Sequence, residues 1–148
     1  SSDDAATFAF NVPGNAMAAV ELKRIRLVLA GMSGLWSKQQ WHFPWAADLP
    51  LLERRAEELE ASVRAGLAAH GTMIFLGETV FAYEVDGFGN AIFMDDANIP
   101  SLLSLPMLGF VEATDPVYLT TRRLLLSEHN PWYFKGDLGI GGIGGPHQ

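Results

Sequence analysis

Leu52, Ala56, Leu59, Val63 and Leu67 recur at helical spacing, and this pattern predicts a helix over residues 51–69. Glu53, Arg54, Glu57, Glu58, Glu60 and Arg64 lie outside the stripe as a solvated face, with Glu60 and Arg64 a favourable i,i+4 pair. Asp48 and Pro50 mark its start and Gly71 its stop. A second apolar series, Met17, Val20, Leu22, Ile25, Val28 and Leu29, predicts a helix over residues 15–30. Pro13-Gly14-Asn15 supplies a turn and a candidate N-cap there, and Gly31 and Gly34 are expected to end it. Pro100 opens a short helix holding Leu102, Leu103 and Leu105. Asp115-Pro116 opens another, with Tyr118, Leu119, Arg122, Leu125 and Leu126, broken at Asn130-Pro131.

The period shifts between Phe75 and Phe93. Val80, Phe81 and Tyr83, then Ile92 and Phe93, flank Asp86-Gly87-Phe88-Gly89-Asn90, which predicts a short β-hairpin-like segment near 80–94. From Lys135 onward the chain reads as Gly-rich loop. The expected fold is therefore mainly α, with helices as walls and long polar connections carrying the unusual residues, as in a helical toroid.

At 49% hydrophobic and 18% charged residues the chain has the composition of a packed globular body, and 148 residues allow one domain or part of one. A net charge of −7 argues against a nucleic-acid partner, which needs a clustered basic surface. No apolar run is long enough for a membrane span. The absence of cysteine excludes disulfides and thiolate zinc sites. The chain opens at Ser1 without Met and stops inside a Gly-rich stretch, so it is read as an internal piece of a longer protein.

The chemistry concentrates in Tyr83 to Asn90 and Met94 to Asn98, where carboxylates stand among Val, Phe, Ile and Met. Carboxylates beside apolar walls cost desolvation unless something engages them, so the cluster reads as the polar floor of a pocket. On an extended segment Glu84 and Asp86 share a face, although Asp86-Gly87 is also a turn dipeptide. Asp95, Asp96 and Asn98 suit sugar hydroxyls, a helix N-terminus, or a hard cation. Asp3-Asp4 are a second acid pair, readable as general acid and sugar acceptor or as a solvated terminus. Trp36, Trp41, Phe43 and Trp45 form an aromatic group favoured as packing over sugar stacking. The glycines of Gly139 to Gly145 lack the Lys-Ser or Lys-Thr of a phosphate loop; they let backbone pass close to a ligand, with His147 beyond them. The four histidines are scattered and no nucleophile elbow is present, which leaves carboxylate chemistry, the mark of glycoside hydrolysis, as the enzymatic candidate.

Ser2-Asp3-Asp4-Ala5, Val12-Pro13-Gly14-Asn15-Ala16-Met17, Tyr83 to Asn90, Met94 to Leu105 and Gly142-Ile143-Gly144-Gly145-Pro146-His147 follow one another in order. Together they resemble glycoside hydrolase family 125, the metal-independent exo-α-1,6-mannosidases, across nearly the whole chain. The resemblance implies part of an (α/α)6 barrel, a single catalytic domain of which residues 1–148 are a fragment, and no cofactor. It implies inverting removal of a terminal mannose from α-mannosides or N-glycans, so the expected partner is a mannose-containing oligosaccharide. The acid is expected in the motif ending Ser2-Asp3-Asp4, with Asp3 slightly preferred over Asp4. Glu84, Asp86, Asp95, Asp96, Asn98 and His147 are expected to line the sugar subsite. The general base is expected in a glutamate motif beyond residue 148, which would leave this piece inactive alone. The Arg-Pro that precedes the acid motif in the family would lie before residue 1, with Ser1 in place of that Pro. Gly145 stands where Ser is expected and Gln148 where Thr is usual. The alternatives are a non-catalytic carbohydrate-binding helical protein and a metal-dependent hydrolase built on Asp95 and Asp96.

Overall fold

The computed structural model describes residues 6–39 and 45–145. Asp3, Asp4, His147 and most of the aromatic group at 36–45 lie outside the described side chains.

A two-residue strand, β1 (Phe10–Asn11), leads directly into helix α1 (Val12–Gln39). Asn11 caps the helix, since its Oδ1 accepts the Gly14 N–H at 2.8 Å. Gly14 allows the approach, because a Cβ there would stand 2.9 Å from that oxygen. The cap is thus Asn11 rather than Asn15, whose Nδ2 donates to the Asn11 carbonyl at 2.7 Å. The helix also runs through Gly31 and Gly34. An interior glycine costs a helix about 1 kcal/mol relative to alanine, which neighbouring helix formers overcome.

Helix α2 (Leu49–His70) packs antiparallel to α1: Val12, at the start of α1, and Leu67, near the end of α2, line one cavity. The face of α2 turned inward follows the predicted stripe only in part. Leu49 and Ala56 are buried, whereas Leu52 and Leu59 are exposed. Glu60 takes an inward place because its charge is met on both sides, by Arg64 Nε at 2.9 Å and by Arg26 Nε at 4.0 Å. Arg26 also bonds Glu57 at 3.1 Å across the helix pair.

After α2 the chain makes two hairpins. Strands β2 (Thr72–Phe75) and β3 (Glu78–Phe81) pair antiparallel about Leu76 and Gly77. Leu76, at φ 53°, and Gly77, at φ 81°, give the turn the left-handed backbone that matches strand twist. This hairpin was not predicted; its strands are short and only one residue, Val80, is fully buried. The predicted hairpin follows: β4 (Glu84–Val85) pairs with β5 (Ala91–Ile92), and β4 also pairs with β1, so it is the centre of a three-stranded antiparallel sheet.

The Leu-rich stretch after Pro100 forms tight turns before a one-turn helix, α3 (Leu105–Leu108). Ser101 and Ser104 lock those turns by exchanging backbone-to-hydroxyl bonds at 2.9 and 3.1 Å. Helix α4 (Pro116–Leu125) starts as predicted, with Asp115 Oδ1 accepting the Tyr118 N–H at 2.9 Å. It stops short of Asn130-Pro131. Thr121 fastens it to β3 by accepting the Phe81 N–H at 2.9 Å while donating to the Val117 carbonyl at 2.7 Å. The Gly-rich end is not loop throughout, since β6 (Tyr133–Lys135) pairs antiparallel with β7 (Gly141–Ile143). Gly141 lies under the Tyr133 side chain, where a Cβ would meet the hydroxyl oxygen at 2.0 Å.

The core joins these parts: Val12 and Ala16 of α1, Val80, Tyr83, Val85 and Phe93 of the strands and their flanks, and Leu102, Leu105, Leu124 and Leu125. Phe75 stacks on Phe93 at 4.3 Å. The fold is mainly α, with three small antiparallel sheets among the described residues. No described helix is long and apolar enough to cross a membrane.

Candidate active site

Three segments with unusual composition meet around Tyr83. Its ring is buried just ahead of β4, and its hydroxyl donates to Asp96 Oδ2 at 3.3 Å. Burial, then the charge of Asp96 and the bond to it, hold the phenol well above its usual pKa, with Asp95 and Glu84 adding to the effect. Tyr83 therefore stays protonated and serves as a donor. Asp96 is buried, and its Oδ1 accepts the Asn98 N–H at 2.9 Å, a local turn that sets the half-buried Asn98 beside it.

Asp95 is 0% exposed. Its Oδ1 accepts the Leu102 N–H at 3.0 Å and its Oδ2 the Leu103 N–H at 2.9 Å. Asn130 grips its backbone on both sides, accepting the Asp95 N–H at 3.2 Å and donating to the Asp95 carbonyl at 3.0 Å. Burial pushes the Asp95 carboxyl up to about 7, against the two backbone bonds that favour its ionised form. Such a pKa suits a general acid, but a carboxyl with no exposed surface and both oxygens on backbone donors does not reach a glycosidic oxygen. The same burial gives a hard cation, which needs several oxygen ligands around it, no open approach to the carboxyl. Nor do the described residues contain a group of three His, Cys, Asp or Glu side chains able to hold a metal.

Glu84 lies in the central strand, with only 8% exposure. Its Oε2 accepts the backbone N–H groups of Thr7 and Phe8, at 2.9 and 3.0 Å. Asp86, two residues on, is engaged separately within its own turn. Its Oδ1 accepts from Phe88 N at 2.7 Å and Asn90 N at 3.0 Å, and its Oδ2 from Asn90 Nδ2 at 2.6 Å. The Asn90 amide, followed by the Phe88 N–H, holds the Asp86 carboxyl below its usual pKa. Asp86 borders a cavity of about 490 Å³ between the helix pair and the sheet, lined also by Phe10, Val63, Leu67, His70 and Phe88.

The Gly-rich hairpin joins the cluster through its backbone. Ala97 N–H donates to the Gly144 carbonyl at 3.0 Å, and Gly144 N–H donates to the Trp132 carbonyl at 2.8 Å. The structure thus brings Glu84, Asp95 and Asp96 together around Tyr83, ties the Asp96–Asn98 loop to the segment preceding His147, and sets Asp86 apart at a cavity edge. Sequence reasoning passed over Tyr83 and Asn130 as site-shaping residues. Tyr83 stood within the acidic motif, but its partner is 13 positions away. Asn130 was read only as a helix breaker beside Pro131.

The sequence model described as "Metal-independent alpha-mannosidase (GH125)" matches residues 1–148. The chain belongs to this family. A curated relative, the Meiotically up-regulated gene 157 protein of Schizosaccharomyces pombe, is 45% identical over 149 residues, covering 99% of this chain and 26% of the relative. A solved structure of a metal-independent α-mannosidase from Streptococcus pneumoniae, in a non-productive complex with α-1,6-mannobiose, is 32% identical with a TM-score of 0.78. That match covers 99% of this chain and 32% of the other. The chain thus spans about a quarter of the yeast relative and about a third of the bacterial structure.

Proposed function

We propose that the chain is the acid-bearing part of an inverting exo-α-1,6-mannosidase, one segment of a single (α/α)6 catalytic domain. The observation that carries the reading is the hydrogen-bonded convergence of the Tyr83–Glu84, Asp95–Asn98 and Gly144 segments, in a chain that belongs to the metal-independent α-mannosidase family. The bacterial neighbour's complex with α-1,6-mannobiose supports a mannose oligosaccharide, including the mannose termini of N-glycans, as substrate.

In this reading Asp3 or Asp4 protonates the leaving oxygen as the bond from C1 breaks. A carboxylate elsewhere in the protein takes a proton from the water that attacks C1 from the opposite face. Inverting enzymes keep roughly 6.5–9.5 Å between the two carboxyl groups to make room for that water. Asp96, Asn98, Asp86 and His147 hydrogen-bond the sugar. Glu84 and Asp95, engaged by backbone donors, hold the loops in place. No metal or cofactor takes part.

The test is hydrolysis of α-1,6-mannobiose by the full-length protein, with and without EDTA, following the anomer released. Chelator-resistant release of β-mannose is expected, with Asp3→Asn losing turnover while still binding mannoside. Release of α-mannose would overturn inversion. Unchanged turnover in both Asp3→Asn and Asp4→Asn would remove the acid assignment. Binding without release would favour a carbohydrate-binding protein.

A further inference from the structure

Glu84 is a carboxylate of the acidic motif with backbone partners near the other end of the chain. Both N–H groups it accepts, those of Thr7 and Phe8, come from a segment 77 and 76 positions away. The same segment continues into β1, which pairs with β4 through Asn11 and Glu84. A buried carboxylate between two backbone donors forms short, charge-assisted bonds of well-defined direction. Thr7 and Phe8 are otherwise in an irregular stretch just ahead of β1. The glutamate is thus a clamp on the stretch that leads out of the Ser2-Asp3-Asp4 motif.

We propose that Glu84 is a positioning residue for the catalytic acid: it fixes Thr7 and Phe8 and so restricts where the acid three or four residues upstream can stand. The proposal rests on the reading of Asp3 or Asp4 as that acid. Three peptide steps separate Asp4 from Thr7, a reach of at most about 11 Å, so anchoring Thr7 sets an upper bound on how far from it the acid acts. Placement errors of about 1 Å cost on the order of a hundredfold in rate for a group that must meet a developing charge. A sugar ligand behaves differently, because its loss weakens ground-state binding and raises KM.

The test compares two substrates in the full-length enzyme. Hydrolysis of α-1,6-mannobiose needs a proton on the leaving oxygen. Hydrolysis of α-mannosyl fluoride breaks a C–F bond and releases fluoride, which needs little acid assistance, while water still attacks C1. Glu84→Ala is expected to lower kcat on mannobiose by about a hundredfold, with KM within about threefold, and to change turnover of the fluoride by less than about fivefold. Glu84→Gln, which keeps an acceptor oxygen in place, is expected to recover most of the mannobiose rate. Should Glu84→Ala fail to fold, Glu84→Asp keeps the charge, shortens the reach, and is expected to show the same substrate split. Equal losses on both substrates, a raised KM at unchanged kcat, or no effect would each overturn the proposal. Asp3→Asn and Asp4→Asn are run on the same pair. If one shows the split and the Glu84 variants do not, only the Glu84 proposal fails; if neither slows mannobiose hydrolysis, the acid assignment fails by itself.

Discussion

Replacing Asp95 by Asn tests how burial and hydrogen bonding compete at the centre of the candidate site. The carboxyl has no exposed surface, and its two oxygens accept from Leu102 and Leu103. An amide keeps one acceptor and turns an NH2 toward the other backbone donor. That leaves a buried N–H unpaired, at about 1–3 kcal/mol. The second effect depends on pH. Burial raises the folded-state pKa of Asp95 to about 7 from 3.8. The folded state therefore binds more protons than the unfolded state between these values, and stability from this group falls as pH rises through the window. Asn has no such dependence. Between pH 5 and pH 8 the wild-type protein should lose about 2–3 kcal/mol relative to Asp95→Asn, from about 1.36 kcal/mol per pKa unit. Urea unfolding of both proteins at the two pH values measures the difference directly. A wild-type-minus-variant gap that is the same at pH 5 and pH 8, or that grows at pH 8, would refute the argument that burial outweighs the two backbone bonds.

Thr121→Val keeps shape but removes the hydroxyl that accepts from Phe81 N and donates to the Val117 carbonyl. The loss should be about 1–3 kcal/mol in urea unfolding, with Thr121→Ser retaining most of the stability. Leu76 holds a left-handed backbone at φ 53° and is 61% exposed, so Leu76→Asn should stabilise the β2–β3 hairpin by about 1 kcal/mol, read as a rise in Tm.

Features set by neighbours in sequence were readable in advance. Asp115-Pro116 names the start of α4 because a capping carboxylate and a proline act within one turn. Asp86 to Asn90 names a turn because Asp86 bonds residues two and four positions on. Features that depended on packing were not. Gly31 and Gly34 looked like stops, yet α1 continues through both. The apolar stripe of α2 turned inward at Ala56, Val63 and Leu67 but not at Leu52 and Leu59, while Glu60, met by cations on α1 and α2, took an inward place. The β6–β7 pair was hidden by glycines that carry no strand signal but make room for Tyr133.

The sequence by itself determined the mainly helical character and the family, since these rest on residue periodicity and on ordered motifs. Only the tertiary structure decided which groups each described acid engages. Glu84 and Asp86 stand two residues apart and have the same functional group. One is buried and grips backbone at the far end of the chain; the other closes its own turn at a cavity edge. Spacing places a carboxylate on a face, but its partners are chosen by which distant backbone donors the fold carries to it, and a desolvated charge must find them.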